Sequence, residues 1–122
     1  MSDLTVDDII AIHSSIAARE GADSRMISEA VLHQVTVQVN LSADPFKKAA
    51  IILFSFSAYP PFREGNRETS VCLVKQIIEN EGYWIDPERE NLTGLVQGVE
   101  SCSLETEDLE DWLRTHAQNH AL

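Results

Sequence analysis

Tyr59-Pro60-Pro61-Phe62-Arg63-Glu64-Gly65-Asn66-Arg67-Glu68-Thr69-Ser70 separates two apolar helical runs, Ala49 to Ala58 before it and Val71 to Ile78 after it. Pro60-Pro61 stops the first run, because a proline disfavours helical geometry at the residue before it and donates no backbone N–H. Gly65-Asn66 starts the second: glycine permits a sharp turn, and asparagine is a favoured N-cap. A tight loop of this kind turns the free N–H groups of a helix N-terminus into a concavity, which suits an anion or a phosphate. Glu64 stands just before the turn, where a carboxylate could hold Mg²⁺ beside such a phosphate. Without that chemistry, the same residues read simply as a helix stop followed by a helix start.

Outward from this loop the chain reads as helices. Upstream, Asp44-Pro45 is an N-cap followed by proline at the first helical position, and Phe46, Ala49, Ala50, Leu53 and Phe54 give a buried stripe with Ile51, Ile52 and Phe56 around it. A helix apolar on nearly all sides is expected at the centre of a bundle, as a rigid mount for the loop. Ser24 to Asn40 reads as a helix with Ile27, Ala30, Val31, Gln34, Val35 and Gln38 on one face, although Val35-Thr36-Val37-Gln38-Val39 also alternates like a strand. Val6 to Glu20 is a helix capped by Thr5 and ended by Gly21. Its apolar face carries His13, expected as a satisfied core histidine.

Downstream, Thr69 to Asn80 is helical, with Gly82 following as a stop. Tyr83-Trp84-Ile85 is a short extended segment covering one end of the bundle. Asp86-Pro87 repeats the cap-plus-proline device. Glu88 and Glu90 fill that helix's first turn, and Leu92, Leu95, Val96 and Val99 supply its face. Gly94 and Gly98, four apart, suggest close helix approach. Thr106 to His116 is a last helix, acidic at its start and basic at its end as its dipole prefers, and the tail from Gln118 is expected to fray.

The 122 residues suffice for one domain spanning 1–122, with a core that needs neither disulfide nor metal. The net charge of −11 argues against nucleic-acid and anionic-membrane binding, since both need a basic face. No secretory signal is visible, and no apolar run is long enough to span a bilayer, so a cytoplasmic location is expected. Cys72 and Cys102 stand far apart with no metal-ligand spacing and read as reduced thiols in or near the core. His13, His33, His116 and His120 are scattered, and no Gly-Lys-Ser/Thr follows Gly65, so neither a serine triad nor a Walker loop is present.

Phe62-Arg63-Glu64-Gly65-Asn66 resembles the core of the Fic/Doc signature, His-x-Phe-x-(Asp/Glu)-(Gly/Ala)-Asn-(Gly/Lys)-Arg. The likeness extends to the flanking helices, to Asn80-Glu81-Gly82-Tyr83 and to Leu109-Glu110-Asp111-Trp112-Leu113-Arg114, and is closest to the short death-on-curing (Doc) branch. The resemblance implies an all-α bundle of about six helices with a small extended flap. It also implies transfer of AMP, phosphate or another phosphate-containing group from a nucleotide to a protein hydroxyl. The toxin that gives the branch its name is neutralised by a small antitoxin.

The departures are specific. The family's His, the general base, falls on Pro60, and removing a positioned base costs roughly 10²–10⁴-fold in rate. Tyr59, displaced one place, is a weak substitute, since tyrosine titrates near pH ~10. The family's phosphate-binding Arg falls on Glu68, a like charge to the phosphate and one that a helix first turn favours. Val71 stands where a further Arg can occur, and Arg67 leaves one cation close by.

The resemblance therefore implies a Doc-toxin-like Fic/Doc protein with a degenerate loop, leaning away from an active enzyme. Phe62, Gly65, Asn66 and Arg67 would keep some nucleotide or phosphate binding, and Glu64 would hold Mg²⁺ with ATP or another nucleotide. Transfer would be lost or much reduced, and an antitoxin or a protein target would be the partner. Two alternatives stay open: a non-enzymatic interaction module of toxin–antitoxin ancestry, and an active nucleotidyl- or phosphotransferase using a different base. The sequence leaves the oligomeric state undecided.

Overall fold

The computed structural model describes residues 3–85 and 92–119. Its elements are α1 (Val6–Glu20), α2 (Glu29–Asn40), α3 (Pro45–Ala58), α4 (Asn66–Asn80), β1 (Tyr83–Trp84), α5 (Leu92–Glu100), α6 (Thr106–His116) and β2 (Gln118–Asn119). The fold is all-α, as expected, with one two-residue antiparallel ladder attached.

The helix ends follow local chemistry. The Thr5 hydroxyl accepts the Asp8 N–H, the Asp8 carboxylate accepts the Thr5 N–H, and Gly21 closes α1 in the left-handed region at φ 68°. Asp44 accepts the Phe46 N–H at 2.9 Å, with Pro45 opening α3. Phe46, Ala49, Ala50, Ile52, Leu53 and Phe56 of α3 are all buried, and α3 packs against α2, α4, α5 and α6. It is the central helix that its composition predicts. The last turn of α6 returns to its start. Arg114 pairs with Asp44 and, at 2.7 Å, with Glu110, and its guanidinium lies 5.1 Å from the Phe46 ring centroid. Burial pushes the Asp44 carboxyl up, but Arg114 and the Phe46 N–H outweigh it and hold the group below its usual range.

Four expectations need correction. First, α2 begins at Glu29, capped by Ser28, and not at Ser24. The segment 24–28 is extended because its backbone is spent on the loop after α3: the N–H groups of Ile27 and Ser28 both donate to the Pro61 carbonyl, at 2.6 and 3.1 Å, and the Arg63 N–H donates to the Arg25 carbonyl at 3.0 Å. Second, the inner face of α2 is Leu32, Val35, Thr36 and Val39, while Ile27, Ala30, Gln34 and Gln38 are exposed. The run of alternating valines fits two helical faces almost equally, and packing selected the one that meets α3. Third, the tail does not fray at once: Gln118 pairs with Trp84 and Asn119 with Tyr83. Fourth, Cys102 is exposed, at φ 61°, and Cys72 is half-buried; both are free. The predicted start at Asp86-Pro87, with Glu88 and Glu90, lies outside the described residues. Among the described residues no helix is long and apolar enough to cross a membrane.

Candidate functional site

The helix-to-helix loop is built much as its residues dictate. α3 ends at Ala58, and the Tyr59 N–H makes the last helical bond, to Ser55 O at 2.8 Å. The two prolines follow. Phe62 turns inward and is 2% exposed; its ring lies flat on His13, with centroids 3.5 Å apart and planes 5° from parallel. His13, itself buried, places Nε2 2.7 Å from the Glu64 carbonyl oxygen. A carbonyl only accepts, so Nε2 carries the hydrogen. The expected satisfied core histidine is therefore also the floor of the loop.

Gly65, at φ 81°, is the N-cap residue of α4. This differs from the expectation that Asn66 would be the cap. Asn66 is the first helical residue, and its side chain reaches back: Oδ1 accepts the Phe62 N–H at 3.0 Å and Nδ2 donates to the Phe62 carbonyl at 2.8 Å. The amide thus closes the loop as a ring. A β-carbon on Gly65 would stand 3.3 Å from His13 Nε2, so the floor and the left-handed backbone both ask for glycine.

The loop opens on a cleft of about 260 Å³ lined by Phe56, Ser57, Pro60, Arg63, Glu64, Gly65, Asn66, Arg67, Glu68, Ser70, Val96 and Glu100. Pro60 and Glu68 thus share one concavity with the Gly65–Arg67 turn. Two other residues singled out in the sequence are placed elsewhere. The Phe62 side chain is in the core and lines no part of this cleft. Tyr59 is 63% exposed and lines two other grooves, with Phe54 in both, one of which shares Ser57 and Glu100 with the cleft.

The arginines in and beside the cleft each lie near a carboxylate. Arg67 Nη2 lies 3.9 Å from Glu100 Oε1, and Arg63 Nε lies 3.3 Å from Asp23 Oδ2. Asp23 also takes Arg25 at 2.7 Å. The hydrogen bonds from the Arg25 side chain and backbone, with Arg63 adding its charge, hold the Asp23 carboxyl down at about 2. Glu68 faces the cleft from the first turn of α4. Glu100, from α5, escaped the sequence reading. It is one of many acidic residues, and only the packing of α5 brings it to the loop. The Asp23–Arg25–Arg63 cluster escaped for the same reason, since Arg63 stands forty residues beyond Asp23 in the chain.

The Mg²⁺ that the resemblance implies calls for oxygen ligands, usually one or two carboxylates together with phosphate oxygens. Glu64 is the residue expected to serve, and its Oε1 accepts the Asp23 backbone N–H at 2.6 Å. Among the described residues no group of three or more His, Cys, Asp or Glu side chains is placed to hold a metal ion. The one carboxylate at the expected position thus already has one of its oxygens engaged within the protein.

An all-α bundle whose central helix feeds a buried-Phe, Gly-Asn loop at the N-terminus of the next helix defines the class of domain. A model of the Fic/DOC family matches residues 3–78, more than half of the chain, and the chain belongs to that family. The match runs from the start of α1 through most of α4 and includes the whole loop. No curated protein matches the chain.

Proposed function

We propose that this is a member of the short, Doc-like branch in which transfer of AMP or phosphate to a protein hydroxyl is lost or much reduced, while weak binding of ATP, another nucleotide or a simple anion survives at the loop. One observation carries the reading: Pro60 and Glu68 line the same cleft as the Gly65–Arg67 turn. At that cleft a proline ring cannot accept a proton. A carboxylate in the first turn of α4 repels the phosphate that the helix N–H groups would otherwise attract. Arg67 remains as a cation but is shared with Glu100. A cytoplasmic setting and an antitoxin or protein target as partner belong to the same reading.

The test is incubation of the purified protein with ATP labelled in the α- or γ-phosphate and with cell extract. The expected result is no transfer of either label to protein. Transfer that persists in Tyr59→Phe and in Pro60→Ala would contradict the reading and point to a base outside the loop.

A second reading, a non-enzymatic interaction module, is favoured by the apolar residues left exposed near and along α2: Ile27 at 62%, Val37 at 60% and Leu41 at 82%. A small antitoxin-like reading frame immediately upstream of the gene would support it.

A further inference from the structure

We infer that Glu64 is a positioning residue that clamps the α1–α2 connection onto the loop, and that the loop takes its shape from this clamp without a metal ion. The inference concerns the loop's architecture and does not rest on the nucleotide-binding reading.

Glu64 is bonded from two sides by two different segments. Its carbonyl oxygen takes His13 Nε2 at 2.7 Å from below, and its carboxylate takes the Asp23 N–H at 2.6 Å from the side. The second bond is short, as expected where the acceptor is ionised. It closes a zipper between residues 23–28 and 61–64. The Ile27 and Ser28 N–H groups meet Pro61 O, the Arg63 N–H meets Arg25 O, and Met26 bridges Phe62 in antiparallel register. Glu64 stands at one end of that zipper, and its carboxylate supplies the terminal acceptor that no backbone group provides. Beside it Arg63 reaches Asp23 at 3.3 Å, so two consecutive loop side chains hold the same residue, one through its backbone and one through its carboxylate.

A Mg²⁺ ion gives up its water reluctantly and demands near-octahedral oxygen geometry. Here the one carboxylate at the expected position already accepts the Asp23 N–H through Oε1.

The experiment separates a strut from a ligand by the chemistry of glutamine. An amide side chain still offers an oxygen that accepts an N–H, but it is neutral and a poor ligand for a hard cation. Glu64→Gln and Glu64→Ala are compared with the unaltered full-length chain by NMR-detected amide exchange at Asp23, with Ile27 and Ser28 as internal references, and by titration with MgCl₂ alone. The clamp predicts that alanine speeds Asp23 exchange about tenfold, the loss of one charge-assisted bond. Glutamine restores most of that protection, and millimolar Mg²⁺ leaves the Asp23 and Glu64 resonances of the unaltered chain in place. Should glutamine fail to protect Asp23 any better than alanine, or alanine leave the exchange unchanged, the clamp is disproved. Mg²⁺ shifts at these residues that vanish in Glu64→Gln would make Glu64 a metal ligand and overturn the inference. If the alanine variant does not fold, the glutamine variant and the Mg²⁺ titration decide between the two.

Discussion

Asp23 makes the protein's stability sensitive to acid. Its carboxyl is held at about 2, below the ordinary value of 3.8, first by the Arg25 side chain and backbone and then by Arg63. A depressed carboxylate contributes stability that is present above its unfolded pKa and is lost as pH falls through the folded one. Thermal melts of the unaltered protein and of Asp23→Asn should therefore differ at neutral pH, with the asparagine variant melting lower. The gap should narrow between pH 3.8 and about 2 and close below that. A gap that stays constant across that window would mean Asp23 acts by shape and not by charge.

Other single residues show what could be read in advance. Gly65 and Asn66 were legible as turn formers because their conformational chemistry is local, although their order was not: glycine took the cap and asparagine turned back to hold Phe62. The burial of the Phe62 ring was not legible, because a family motif gives a residue's place but not its direction. The ring's direction is set by His13, far away in the chain.

The elements divide in the same way. α1 and α3 were plain in the sequence, because each carries its own cap, α1 with one apolar stripe and α3 with apolar residues on nearly all sides. α2 was half legible, since the residues before Glu29 fit a helix by pattern but find better partners in the loop at Pro61 and Arg63. Tyr83-Trp84 was legible as a short extended segment, but its partner Gln118-Asn119 was not, because two-residue strands carry no periodicity.

The α5–α6 corner was only partly anticipated. Gly94 and Gly98 suggest close helix approach, yet what comes close to Gly98 is Leu104, from the turn after its own helix. A β-carbon on Gly98 would lie 2.3 Å from Leu104 Cδ1, while the Gly98 carbonyl takes the N–H groups of Ser103 and Leu104 at 2.9 and 3.2 Å. Leu104 packs against the core. Gly98→Ala should thus cost about 1–3 kcal/mol in urea unfolding, the usual range for overpacking. Adding Leu104→Ala should relieve the clash, making the double variant less destabilised than the sum of the two single changes. Strict additivity would show that the two residues do not press on each other.

For the whole molecule, the net charge of −11 and the pairing inside the cleft point the same way. Arg63 and Arg67 both face carboxylates, and Glu68 and Glu64 stand at the mouth of the helix. The scaffold around the N-terminus of α4 runs from the buried α3 to the Phe62–His13 stack, and Pro60 and Glu68 line the cleft beside it. The scaffold was legible because it rests on helix caps and apolar stripes. The electrostatics were half legible, since Pro60 and Glu68 are read by counting along the loop, whereas Glu100 and Asp23 arrive only through packing.

The central claim is that the cleft has exchanged its base and its clamp for groups that cannot serve. Calorimetric titration of ATP into the unaltered chain and into Pro60→His/Glu68→Arg tests it most directly. The account predicts weak or undetectable binding to the first and an affinity at least about tenfold higher for the second, the scale of one charge-assisted contact to phosphate gained and one repulsion removed. Equal affinities would place positions 60 and 68 outside the nucleotide's reach and contradict the account.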